Sequence, residues 1–132
     1  MCGIIVSTSS ELDALSLSNT LDKRGPDQTR LLEIDGMRFS FHRLAIMDLD
    51  ETGMQPFCFD NCVLVANAEI YNHQEIRSQL KDYNFRGSSD CEVLLPFYKI
   101  HQEKMFSYLD GEFAIVLYDR NRKKVIAARD PI

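Results

Sequence analysis

Only the initiator methionine precedes Cys2. Small second residues favour removal of Met1, and the cysteine then carries a free α-amine of pKa ~8 beside a thiol of pKa ~8.5. A nucleophile and a base on one residue can begin acyl transfer without a histidine. The amine takes the thiol proton, directly or through water, and the thiolate attacks a carbonyl carbon. Such chemistry also needs donors for the developing oxyanion and charges that hold the substrate. Asn67 directly follows the apolar run Cys62 to Ala66, and its amide and the N–H of Ala68 are candidate donors. Arg43 offers a planar fork for a carboxylate and Asp90 an acceptor for an ammonium, which together match the two ends of a free amino acid. Each has a plainer alternative. Asn67 serves equally as a turn residue, Arg43 as a surface charge after a strand, and Asp90 as an acidic group complementing a helix dipole.

The elements that must position these groups alternate between strand and helix patterns. Cys2 to Ser7 is a β-rich run, and Ser10, with Asp13 three residues on, predicts a helix carrying Leu12, Leu15 and Leu17 and ending near Leu21. After the turn Arg24 to Asp27, Leu31 to Ile34 and Met37 to His42 flank Asp35-Gly36, the strongest short hairpin signal in the chain. A second hairpin is expected from Phe57 to Phe59, Asp60-Asn61 and Cys62 to Ala66. Two helices follow: one opens at Asn72 and carries Ile76, Leu80 and Tyr83, the other opens at Ser89 and carries Val93, Phe97 and Ile100. Pro96 should bend the second of these. A short amphipathic segment with Met105, Phe106 and Leu109 leads to strands Glu112 to Tyr118 and Val125 to Ala128, joined around Arg120 to Arg122. The pattern predicts an α+β domain of mainly antiparallel sheets.

Composition bounds the function. At 132 residues, 45% hydrophobic and 27% charged, the chain suits one domain with no internal linker. Its 15 basic and 20 acidic residues give a net charge of -5, and no basic stripe interleaves with aromatics, so nucleic acid is a poor candidate partner. The longest apolar runs, Val63 to Ala66 and Phe113 to Tyr118, fall far short of the ~20 residues a membrane-spanning helix needs. No basic n-region precedes Lys23, which makes the cytosol the expected compartment. Cys58, Cys62 and Cys91 have neither zinc-site nor disulfide-scaffold spacing and are expected to be ordinary thiols. His42, His73 and His101 lack metal-ligand spacing, and no nucleotide-binding loop is present.

Taken together, several segments carry a resemblance: Met1-Cys2-Gly3-Ile4, Arg24-Gly25-Pro26-Asp27, Arg43-Leu44-Ala45-Ile46-Met47-Asp48, Gln55-Pro56, Asn67-Ala68-Glu69-Ile70-Tyr71-Asn72, Ser89-Asp90-Cys91-Glu92-Val93, Asp110-Gly111-Glu112-Phe113-Ala114 and Ala128-Arg129-Asp130-Pro131. In this order, they make the chain resemble the N-terminal class II glutamine amidotransferase domain of asparagine synthetase, an N-terminal-nucleophile hydrolase. The resemblance implies a four-layer αββα sandwich of antiparallel sheets over residues 1–132. It implies that Cys2 attacks the side-chain amide of L-glutamine, giving a glutamyl thioester and ammonia. Asn67 and the Ala68 N–H would form the oxyanion hole, and Arg43 would grip the α-carboxylate. Asp90, with Glu69 nearby, would take the α-ammonium, while the backbone of Leu44, Ala45, Ile46 and Met47 lines the pocket. The Arg24 to Asp27 turn would be mainly structural.

The chain departs from the family at two places. Ala68 stands where the family usually has glycine, and a positive φ there would cost a Cβ roughly 1 kcal/mol or more and misdirect the donor. Family members also continue past the Arg-Asp-Pro segment, so an open sheet edge is expected here. No Ser-Gly-Gly phosphate loop occurs. No cofactor is therefore expected in this chain: ATP and magnesium would belong to a synthetase domain or partner that accepts the ammonia. The alternatives are a catalytically silent binding or regulatory module, if Ala68 and the missing strands spoil the site, and a non-functional truncated fragment.

Overall fold

The computed structural model describes residues 2–8, 19–46 and 50–132. Its first sheet contains β1 (Gly3–Ser7), β2 (Gln28–Ile34) and β3 (Met37–Arg43), antiparallel and in spatial order β1-β3-β2. Asp35 and Gly36 take φ of 51° and 76°, the left-handed values that a tight hairpin turn demands, and so fix Ile34 opposite Met37. The second sheet runs β4 (Phe57–Phe59), β5 (Cys62–Ile70), β6 (Gly111–Asp119), β7 (Lys124–Arg129), again antiparallel. Asp60 and Asn61, at φ of 44° and 60°, turn β4 into β5. Two helices, α1 (His73–Gln79) and α2 (Leu94–His101), follow β5.

Alternation along β5 divides the core in two. Leu64, Ala66 and Ile70 pack with Ile76, Leu94, Phe97 and Ile115 on the helix side. Val63 and Val65 face the first sheet, where they meet Met37, Phe39 and Phe41. Full burial of each of these side chains larger than Ala66 contributes roughly 1.5–3 kcal/mol, and together these residues clamp helices on sheet on sheet. The α+β expectation holds, and these layers are consistent with the sandwich of N-terminal-nucleophile hydrolases. The helix expected from Ser10 to near Leu21 lies, apart from its last residues, outside the described residues. Among the described residues no helix is long and apolar enough to cross a membrane.

Several local expectations are corrected. The strand expected to stop at Ala66 continues to Ile70, so Asn67 is inside β5 rather than after it. Asn72 and Ser89 occupy N-cap positions, yet neither side chain caps. Asn72 instead donates to the Tyr108 carbonyl and accepts from the Asp110 N–H, tying α1 to the start of β6. The segment after Ser89 is a 3-10 turn, Asp90–Val93, and α2 begins only at Leu94. Pro96 therefore sits in the first turn of α2, where an N–H has no intrahelical partner to lose, rather than mid-helix. Ile100, expected on the buried face, is 61% exposed.

Candidate active site

Cys2 enters the fold immediately before β1, whose Gly3 pairs with His42 of β3. Its Sγ accepts the Leu44 N–H at 3.4 Å, and its thiol can donate to the Leu44 carbonyl at 3.7 Å. Leu44 follows β3, so one short segment carries both the groups on the sulfur and, one residue earlier, Arg43. That segment is clamped from outside by the Arg24 to Asp27 turn. The Asp27 N–H donates to the Arg43 carbonyl at 3.0 Å, and the Asp27 carboxylate accepts the Ala45 N–H at 2.7 Å. Gly25 makes the close approach possible: a Cβ there would lie 2.1 Å from the His42 carbonyl oxygen.

Arg43 is 3% exposed. Its guanidinium donates to Gln28 Oε1 at 3.0 Å, and Gln28 Nε2 in turn donates to Glu51 Oε1 at 2.6 Å. With both ends of its amide committed, Gln28 holds one edge of the guanidinium and leaves the orientation of the planar group defined. Gln28 faces Arg43 directly across the hairpin. Counting back from the Asp35-Gly36 turn would have exposed this partner in the sequence.

On β5, Asn67 and Glu69 share the face that Val63 and Val65 turn toward the first sheet, beyond the point where apolar packing ends. Ala68 lies between them with its methyl against the helix-side core. It is not among the described non-glycine residues with positive φ, so the strain anticipated for a Cβ at this position does not arise. Phe113, opposite Ala68, directs its N–H to the Asp130 carboxylate at 2.7 Å and accepts the Asp130 N–H at 2.9 Å. The Ala68–Phe113 pair is thus the non-hydrogen-bonded kind, and the Ala68 N–H points to the far edge of β5. Along that edge the Ala66 N–H is taken by Gln55 at 2.6 Å and the Ile70 N–H by Asp90 at 2.7 Å.

Asp90, 7% exposed, is set by the 3-10 turn beneath β5. Glu92, two residues on in the same turn and 2% exposed, accepts the N–H groups of Arg86 and Gly87 at 2.7 and 3.0 Å and so anchors the loop that enters this turn. Burial, with the Asp90 carboxylate beside it, pushes the Cys91 thiol well above its ordinary value.

These groups converge on a cleft of about 560 Å³ at one end of the space between the sheets. Cys2, Arg43, Leu44, Ile46, Asn67, Ala68, Glu69 and Asp90 all line it. Ala45 does not, its N–H being held by Asp27; Met47 lies outside the described residues. Gln55, Ser89, Glu112, Arg129 and Asp130 also line the cleft, and sequence reasoning gave none of them a part in the site. Among the described residues that line the cleft there is neither histidine nor lysine. His42 is fully buried elsewhere, its ring nitrogens 3.2 Å from Thr29 Oγ1 and 2.9 Å from Ser40 Oγ.

A sequence model of the glutamine amidotransferase domain matches residues 1–132. The chain belongs to the glutamine amidotransferase domain family. Relatives agree. The chain is 42% identical over 142 aligned residues to a probable glutamine-hydrolysing asparagine synthetase of Schizosaccharomyces pombe, covering all of this chain and 25% of that protein. It is 38% identical to the Asparagus officinalis asparagine synthetase and 39% identical to asparagine synthetase 1 of Saccharomyces cerevisiae, in each case covering all of this chain and 24% of the relative. This amidotransferase domain thus spans about a quarter of the length of the curated relatives it matches.

Proposed function

We propose that this amidotransferase domain hydrolyses L-glutamine to glutamate and ammonia through a thioester on Cys2. What supports the reading most is that the sulfur, a buried guanidinium, a buried carboxylate and two amide donors line one cleft. Arg43 takes the α-carboxylate of glutamine, and Asp90, with Glu69 beside it, takes the α-ammonium. Leu44 and Ile46 wall the substrate.

The base follows from what lines the cleft. With no histidine or lysine among the described residues that line it, the α-amine of Cys2 accepts the thiol proton, which requires removal of Met1. The thiolate attacks the amide carbon, and the Asn67 amide and Ala68 N–H receive the oxyanion. Collapse breaks the C–N bond as the protonated amine returns its proton to the leaving nitrogen, releasing ammonia. Water then adds to the thioester and frees glutamate and the thiol. The chain's own groups and water supply every step of this proposed reaction, which calls on no cofactor.

The relatives named as asparagine synthetases extend the reading. We infer that the ammonia passes to a synthetase domain or subunit that forms the amide of asparagine, with ATP and magnesium bound there rather than here, in the cytosol. The test is glutamate release from glutamine by protein shown by intact mass to begin at Cys2. Turnover is expected, and it should vanish in Cys2→Ala and in a form that retains Met1. Undiminished turnover in Cys2→Ala overturns the mechanism.

A further inference from the structure

The β4–β5 hairpin register sets Phe57 opposite Leu64. A strand continuing backward from Phe57 would bring residue 55 opposite Ala66 and residue 53 opposite Ala68. The backbone does not continue: β4 begins only at Phe57, and the chain before it is the 3-10 turn Glu51–Gly53. The Gln55 side chain replaces the missing rung. Its Oε1 accepts the Ala66 N–H at 2.6 Å and its Nε2 donates to the Ala66 carbonyl at 3.1 Å, in a site where Gln55 is 4% and Ala66 1% exposed. The side-chain amide thus acts as a peptide group would, for one rung only. The next donor along this edge, Ala68 N–H, is left to the cleft, and the one after it, Ile70 N–H, is fixed by Asp90.

We propose that Gln55 is a positioning residue for the oxyanion hole: with Asp90 it pins β5 on both sides of the Asn67-Ala68 pair, holding the donors in place. The proposal rests on the glutaminase reading above. Without the amide, both polar groups of Ala66 would be buried unpaired, and the strand must shift or admit water. Loss of one oxyanion donor slows acyl transfer by ~100 to 1,000-fold, and a displaced pair should cost ~10 to 100-fold in kcat with KM changed by less than about threefold.

The test compares Gln55→Met, which keeps the length and removes the amide, with Gln55→Glu, which retains an acceptor for the Ala66 N–H but sets an anion against its carbonyl. Besides kcat and KM, two affinities are measured. The aldehyde analogue of glutamine adds the Cys2 thiol across its C=O, forming a hemithioacetal whose oxygen occupies the hole; L-glutamate fills the pocket without that oxygen. The aldehyde should weaken in parallel with kcat/KM while glutamate affinity stays the same. Amide hydrogen exchange on the unaltered protein needs no variant: Ala66 and Ile70 should exchange slowly and Ala68 fast. Overturning results are kcat and aldehyde affinity within about twofold of the parent in Gln55→Met, aldehyde and glutamate weakening together, or fast exchange at Ala66. A parent protein without glutaminase activity overturns the reading of the site instead, while slow exchange at Ala66 would still support the rung.

Discussion

The Asp27 carboxylate accepts the Ala45 N–H at 2.7 Å while the Asp27 N–H donates to the Arg43 carbonyl, so one residue brackets Leu44, whose own N–H rests on the Cys2 sulfur. A turn that reads as structural is therefore two bonds removed from the nucleophile. Asp27→Ala should lose about 1 kcal/mol of stability and roughly tenfold in kcat/KM, and Asp27→Asn, which keeps an acceptor, should recover most of both. Urea unfolding and a glutamate-release assay on the same preparations check this; an unchanged rate in Asp27→Ala would contradict it.

Substrate charge recognition separates from chemistry. Arg43→Lys removes the planar fork and shortens the reach to Gln28, and Asp90→Asn removes the charge while leaving an oxygen for the Ile70 N–H. Both variants should raise KM by ~10 to 100-fold with a much smaller change in kcat, the signature of lost ground-state binding. Steady-state kinetics decide it, and a fall confined to kcat would reassign these residues.

Asn67→Ala should behave in the opposite way. Its amide is proposed to act on charge that exists only in the transition state, so kcat should drop ~100 to 1,000-fold with KM nearly constant. Equal loss of glutamate binding would instead indicate a collapsed cleft.

The thiols should differ in reactivity. Burial pushes Cys62 up to about 11 and Cys91 well above its ordinary value, so neither is a thiolate near neutral pH. Iodoacetamide at about pH 7.5 should alkylate Cys2 and spare Cys62 and Cys91, and glutamine should protect Cys2. Peptide mass mapping gives the answer, with labelling of Cys91 in the folded protein as the contrary result.

Acid should weaken the β6–β7 end of the fold. Hydrogen bonding to Lys124, aided by Arg122, holds the Glu103 carboxyl down at about 2 from an ordinary 4.5. Arg120 similarly lowers Asp35, and the Phe113 N–H lowers Asp130. Since the unfolded chain binds these protons more tightly, the stabilisation is complete above the ordinary values and disappears as pH falls through the lowered ones. Urea midpoints between about pH 5 and about pH 2 should decline, and less steeply in Glu103→Gln.

Both hairpins were legible because each turn pair, Asp35-Gly36 and Asp60-Asn61, takes positive φ and sits between alternating strands. Of the cleft-lining residues, Cys2, Arg43, Leu44, Ile46, Asn67, Ala68, Glu69 and Asp90 were named from the sequence, whereas Gln55, Ser89, Glu112, Arg129 and Asp130 were not. Gln28 and Gln55 look like unremarkable polar residues until strand pairing is counted out, since their partners, Arg43 and Ala66, are 15 and 11 residues away. β5 was foreshortened for a related reason. Polar residues at Asn67 and Glu69 look like the end of a strand when alternation is expected to bury one face, but that face opens into the cleft. The Asn72 cap failed because its side chain found partners at Tyr108 and Asp110, a competition that local sequence does not display.

The two faces of β5 tie the chemistry to remote packing. Loosening of α1 and α2 would be felt at once by Ile70 and Ala66, and through them by the amides on the opposite side. Warming should therefore silence turnover a few degrees before the sheets melt, so that a heated sample could look folded by spectroscopy and yet already be idle.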